Sequence, residues 1–237
     1  MSHTIIRRGV VAALGPAAAA LAAGLGAGTA SADPLPPFDP NDFAISIDGI
    51  TLFQVGTATA TSGTGDIAIA DGANGIAIAN GGFFDSAFAD GTGSVATATG
   101  GNLDSASAVG TASEADAGVG SFDSATALGT NSFAAADFGN SDLATAVGTN
   151  GAAHAVFGNS DFASVFDTGS TPDVAFAGGS SPAVFGSSDI ASIFGTDSTA
   201  FAGAHLSTPG DFDLAAVFGD MLHAIATSGN FLTDILP

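Results

Sequence analysis

The chain of 237 residues contains no cysteine, and its only two basic residues, Arg7 and Arg8, lie near its start. Lack of cysteine excludes disulfide staples, thiol chemistry and a lipoprotein acylation site. Lack of lysine, and of arginine beyond Arg8, excludes a cationic clamp for an oxyanion or a phosphate. Against these two cations stand 23 acidic residues, all aspartate except Glu114, for a net charge of −21. A surface this acidic repels phosphate backbones and anionic headgroups, so neither nucleic acid nor an anionic membrane surface is an expected partner. Catalytic signatures are missing as well. His154, His205 and His223 fall in no HExxH or other metal spacing, and there is no G-x-S-x-G elbow. The sequence does not look like that of an enzyme.

Residues 1–32 read as a secretory signal peptide. Arg7 and Arg8 precede an uncharged Ala, Gly, Leu and Val-rich run, and Ala30-Ser31-Ala32 before Asp33-Pro34 fits the signal-peptidase pocket. The alternative is an uncleaved membrane anchor, since the run is long enough to span. Cleavage before Asp33 predicts a protein that is secreted or held at the cell wall or cell surface.

High charge alone would suggest disorder, but 46% of the residues are hydrophobic and 19 are Phe. Most of the apolar content is Ala, which suits a thin, repeated core better than a globular one. From Asp66 the chain can be cut every 19 residues without a gap to Gly179. Each segment begins with Asp: Asp66, Asp85, Asp104, Asp123, Asp142 and Asp161. Ala follows two places later in all six, and Gly stands at the seventh place in five. A further copy starts at Asp189 after an offset. Each unit up to that at Asp142 holds two A-x-A stretches separated by Gly, Asn, Ser and Thr, which is strand alternation bounded by turn chemistry, and the unit at Asp161 has Ala163-Ser164-Val165 in place of the first.

Two short strands and two turns per unit predict an all-β fold, a β-solenoid of stacked coils with alanines facing inward. The expected organisation is a leader at 1–32, a proline-rich linker at 33–42, an amino-terminal cap at 43–65, repeats at 66–207 and a carboxy-terminal helical cap at 208–237. The first cap reads as a hairpin around Asp48-Gly49. Leu214, Val217, Phe218, Met221, Leu222 and Ile225 share one face at helical spacing and predict a helix over 211–227.

Three columns of equivalent residues are candidate sites. The Asp ladder places carboxylates about 4.8 Å apart in a parallel stack, where like charges repel by about 0.9 kcal/mol in bulk water. A half-buried ladder needs a counter-ion, and calcium is the natural one; otherwise each Asp caps its own turn through local bonds to the backbone. The second set comprises Val119, Phe138, Phe157 and Phe176 at the sixteenth place, with Val109, Leu128, Val147 and Phe166 at the sixth. These fill corners of the coil or form a patch for self-association or an envelope contact, centred on Phe138, Phe157 and Phe176. Thr111, Thr130, Thr149 and Thr168 form the third; each follows the repeat's turn and is expected to cap it.

The coil length and the phrases Gly81-Gly82-Phe83-Phe84-Asp85 and Gly139-Asn140-Ser141-Asp142 resemble the calcium-binding parallel β-roll of secreted bacterial repeat proteins. That family has glycines two and four places before Asp, whereas the fixed glycine here lies three before. The G-N-S-D-x-A phrasing also resembles the head repeats of trimeric autotransporter adhesins. The Ala/Gly-rich, lysine-free sequence with its ASA-DP export signal is similar to actinobacterial, especially mycobacterial, exported repeat proteins. The regular Thr arrays resemble those of ice-binding solenoids. These resemblances imply a non-enzymatic structural or adhesive surface protein, or a solenoid that binds calcium or ice.

Overall fold

A computed structural model describes residues 39–167, 169, 172–179, 186–203, 210–227 and 231–235. The expected leader, residues 33–38 of the linker, Thr168 and His205 lie outside them. All regular elements among the described residues are strands. They form a β-solenoid with two large sheets, a front sheet of 11 strands and a back sheet of 9, and short two-residue strands along a third side. One coil runs Leu143–Gly148 in front, Gly151–Val156 behind and Gly158–Asn159 at the side, before the next front strand begins at Phe162. Successive front strands pair in parallel, as do successive back strands.

The inward positions are alanines in register. Ala68, Ala87, Ala106, Ala125, Ala144 and Ala163 stack down the front sheet. Ala77, Ala96, Ala115, Ala134, Ala153 and Ala175 stack down the back. All are fully or nearly fully buried in one continuous core. Each methyl contributes on the order of 0.8 kcal/mol of burial, so much of the cohesion must come from the backbone ladders. Later coils carry Val165, Ile193 and Val217 inward, all fully buried. Gly151 makes room for the first of these: a Cβ built there would lie 3.2 Å from Val165 Cγ1.

The amino-terminal end is closed by β1 (Phe43–Ile47) and β2 (Ile50–Val55), an antiparallel hairpin. Its turn, Asp48-Gly49, has two left-handed residues with φ of 53° and 76°, the backbone of a type I′ connection. Antiparallel to Ile67–Asp71, β1 extends the front sheet. Phe43, Ile45 and Ile69 form a small second core there. β3 (Thr59–Ser62) is already the first parallel strand of the back sheet, so the stack begins inside the expected 43–65 cap.

The carboxy-terminal helix does not form. Residues 211–227 instead build another coil, with Leu214–Phe218 in the front sheet and His223–Ala226 behind. Val217 and Leu222 turn inward, while Met221 and Ile225 are exposed, so the presumed single face is split between opposite sides. A lone helix of this length is marginal in water, whereas the strand Ile190–Phe194 offers a ready template for Leu214–Phe218. The coils therefore continue past residue 207 to Phe231–Ile235, which pairs in parallel with Leu214–Phe218.

Candidate functional site

The repeat aspartates form one buried column where the third side turns into the front sheet. Before each Asp stands a left-handed residue: Phe84, Leu103, Phe122, Ser141 and Ser160 have φ between 62° and 65°. The turn aims the carboxylate along the stack, not back at its own loop. Oδ1 of Asp66 accepts the backbone N–H of Asp85 at 3.0 Å, and the relation repeats from Asp85 to Asp104, Asp104 to Asp123, Asp123 to Asp142 and Asp142 to Asp161. Asp189 and Asp213 continue it across offsets of 28 and 24 residues. The expected capping of each Asp's own turn is thus replaced by a bond to the next coil.

The other oxygen has a different environment. Oδ2 of Asp66, Asp85, Asp104, Asp123, Asp142 and Asp161 is buried and accepts no hydrogen bond from the protein. It rests against the glycine three places earlier: a Cβ built on Gly139 would lie 2.1 Å from Asp142 Oδ2, and one on Gly158 equally close to Asp161 Oδ2. Only a residue without a side chain fits there, which explains the fixed glycine of the repeat. Loss of solvation raises the Asp85 carboxyl above the ordinary range. The same cause pushes Asp104 up to about 6, Asp123 and Asp142 to about 7 and Asp161 to about 8, against the opposing pull of the next residue's N–H. Neighbouring carboxylates add to the rise at Asp104, Asp123 and Asp161.

These residues do not fit calcium. That ion takes six or more oxygens. The column offers one unbonded oxygen per coil, already seated on glycine, and no group of three His, Asp or Glu side chains among the described residues is gathered where it could hold a metal.

At the opposite corner stands a second buried column, which the fixed Asp, Ala and Gly of the repeat do not mark. The hydroxyls of Ser94, Ser113 and Ser132 donate to the carbonyls of Gly110, Gly129 and Gly148, again one coil on. Asp173 replaces serine in a later coil and accepts the N–H of Ser198. Burial, with the charges of Asp167, Asp197 and Asp220 nearby, raises its carboxyl to about 6. Thr111, Thr130 and Thr149 lie exposed in the turns, off the flat strand faces.

The apolar columns regroup. Phe138 and Phe157 stack with ring centroids 5.3 Å apart. Phe176 does not join them: its neighbours are His154 and Phe201, with Phe201 stacked at 5.2 Å. Gly148 and Gly151 are three positions apart, but their partners Asp167 and Asp173 are six apart, so counting by 19 carries Phe176 into the wrong column. A ladder of three stacked Phe rings runs along the front sheet, where Phe166 stacks on Phe194 at 4.8 Å and Phe194 on Phe218 at 5.4 Å. Four places earlier on the same strands stand Leu143, Phe162, Ile190 and Leu214. Thr145, Ser164, Ser192 and Ala216 lie midway between. The outer front face of the late coils is thus two apolar ridges about 13 Å apart with a furrow of small residues between. Earlier coils carry Ser86, Ser105 and Ser124 on the first ridge line instead.

No family model, curated protein or solved structure matches the chain. Its functional reading therefore rests on its own geometry.

Proposed function

We propose that the chain is a non-enzymatic exported repeat protein, a structural or adhesive module of the cell surface that works through its apolar ridges. One observation carries this reading: Phe166, Phe194 and Phe218 are each about 40–46% exposed although they stack in register on a rigid sheet. Exposed apolar surface arranged in a continuous stripe marks an interaction face. The rings are parallel within 6°, so their faces are spent on each other and their edges form a ridge. A ridge beside a furrow of small residues is complementary to a second copy of itself. The aspartates of the column are closed to any substrate, which supports a non-catalytic role. Export rests on the leader, and the acidic surface suits a soluble extracellular scaffold.

Light scattering on the protein at low and high salt tests the association. Self-repulsion among the exposed acidic side chains opposes it at low salt, and screening strengthens it. Phe194→Ser is expected to weaken the oligomer with the thermal midpoint little changed, and Phe157→Ser tests the smaller Phe138 and Phe157 stack. A monomer at both salt concentrations removes this reading. Mass spectrometry of protein recovered from culture medium or cell wall is expected to find an amino terminus at Asp33; an intact Met1 in a membrane fraction favours the anchor.

A further inference from the structure

We propose that the aspartate column is a proton-binding site built into the fold: its inner members Asp104, Asp123, Asp142 and Asp161 bind protons as buried carboxylic acids, and the solenoid holds together in acid and loosens as the medium turns alkaline. The geometry requires the charge to be cancelled. From Asp66 to Asp161 six carboxyls stand one strand spacing apart, all 0–1% exposed. Oδ1 of each accepts the N–H of the next column member, and Oδ2 accepts no hydrogen bond. An ionised carboxylate buried with half its acceptor capacity unused is costly, and a row of them compounds the cost through repulsion. A neutral acid loses far less.

Among the described residues no cation stands in the proton's place. The groups facing each column member are its neighbours above and below, Asp66, Asp85, Asp104, Asp123, Asp142, Asp161, Asp189 and Asp213, all acidic. The third side contributes glycines, and the end of the back sheet brings Gly178 over Asp161 and Gly203 over Asp189. Among the described residues only His154 and His223 could carry positive charge, and both lie on outward positions of back-sheet strands. Burial further lowers the affinity of His154 for a proton. A metal is disfavoured because glycine backbone occupies the space that its oxygen shell would need.

The direction of the effect follows from linkage. An unfolded Asp titrates near 4, whereas Asp104, Asp123, Asp142 and Asp161 in the fold titrate between about 6 and 8. Between those limits the folded chain holds more protons than the unfolded one. The stabilisation is complete below about pH 4 and is lost as pH rises through the folded values, up to about pH 8. Near pH 6, folding takes up about three protons at Asp123, Asp142 and Asp161 and about half a proton at each of Asp104, Asp90, Asp137 and Asp173, about five in all.

The experiment is thermal unfolding of the full chain in chelator from pH 5 to pH 9, with proton uptake read from the dependence of the unfolding heat on buffer ionisation. The midpoint is expected to fall steadily across the range. Asp142→Asn keeps the acceptor for Asp161 N–H without an ionisable group, so its fall is expected to be shallower. Infrared spectra of the wild-type chain near pH 7 are expected to show a protonated carboxylic-acid band that vanishes on unfolding; this holds the idea to account even if the variant fails to fold. A midpoint that is flat or rises with pH overturns it. So does the absence of that band, or recovery of the midpoint at pH 9 by millimolar calcium, which would make the column a metal site.

Discussion

Asp142 accepts the backbone N–H of Asp161, its own counterpart one coil away, at 3.0 Å. One side chain therefore does two things: it satisfies a buried donor, and it sets the register between coils. Asp142→Ala leaves that N–H without its acceptor. The expected loss is about 2 kcal/mol in acid, where the wild-type carboxyl is neutral. The loss should shrink toward pH 9, because the wild type then carries the cost of an ionised buried carboxylate that Ala lacks. Chemical denaturation of both proteins at the two pH values measures the difference; a loss that grows with pH is the opposite sign.

Gly151 and Val165 form a matched pair across the thin core. Earlier coils have serine at this corner, as at Ser113 and Ser132, and alanine where Val165 stands, as at Ala127 and Ala146. Gly151→Ser restores the earlier residue but brings its Cβ 3.2 Å from Val165 Cγ1. It is expected to destabilise by about 1 kcal/mol or more through overpacking. Adding Val165→Ala removes the obstacle, so the double variant should be more stable than the sum of the two single losses. A double-mutant cycle by urea unfolding reads the coupling directly; strict additivity would show that the two side chains do not compete for the same space.

Ala144 lies fully buried between Ala125 and Ala163 in the front column. Ala144→Phe inserts a ring where only a methyl fits. The expected cost is about 3 kcal/mol or greater, enough to lower the melting midpoint sharply or abolish folding. Circular dichroism of the wild type should show sheet with little helix, and the variant should lose the cooperative transition. An unchanged midpoint would mean that the inward Ala columns are not the core.

The sheets were legible because solenoid stacking enforces a strict period, and period is what a sequence displays. Asp-x-Ala at fixed phase places every front strand from Ile67 to Asp167, and the Asp48-Gly49 hairpin shows in its two turn residues. Failures arise where the period changes. The coil after Asp189 begins at Asp213, 24 residues on, and Asp213-Leu214-Ala215 carries the same Asp-x-Ala opening. Counting by 19 misses it, and the six apolar residues that follow mimic a helical face. Phe176 is misplaced by the three added residues before Asp173. The buried state of the Asp column lies in the left-handed turn before each Asp, which composition does not reveal. Phe122 and Leu103 occupy that turn despite being bulky.

Phe122 is the sharpest test of that turn. Its φ is 65°, a conformation costing a residue with a Cβ roughly 1–2 kcal/mol. Its N–H donates to the Asn102 carbonyl at 3.0 Å, so the coil ladder holds the backbone there. The ring is 62% exposed, and replacing it sacrifices little burial. Phe122→Gly removes the steric cost but adds conformational freedom to the unfolded chain, worth about 0.5–1 kcal/mol in the other direction. The balance predicts a gain of up to about 1 kcal/mol, a rare case of a stabilising Phe→Gly change. Phe122→Val, β-branched and poorly suited to positive φ, should destabilise by a comparable amount. Thermal midpoints of the two variants against the wild type decide it. If Gly lowers the midpoint and Val leaves it unchanged, the residue before each Asp is not left-handed, and the geometry that aims the carboxylates along the stack is lost with it.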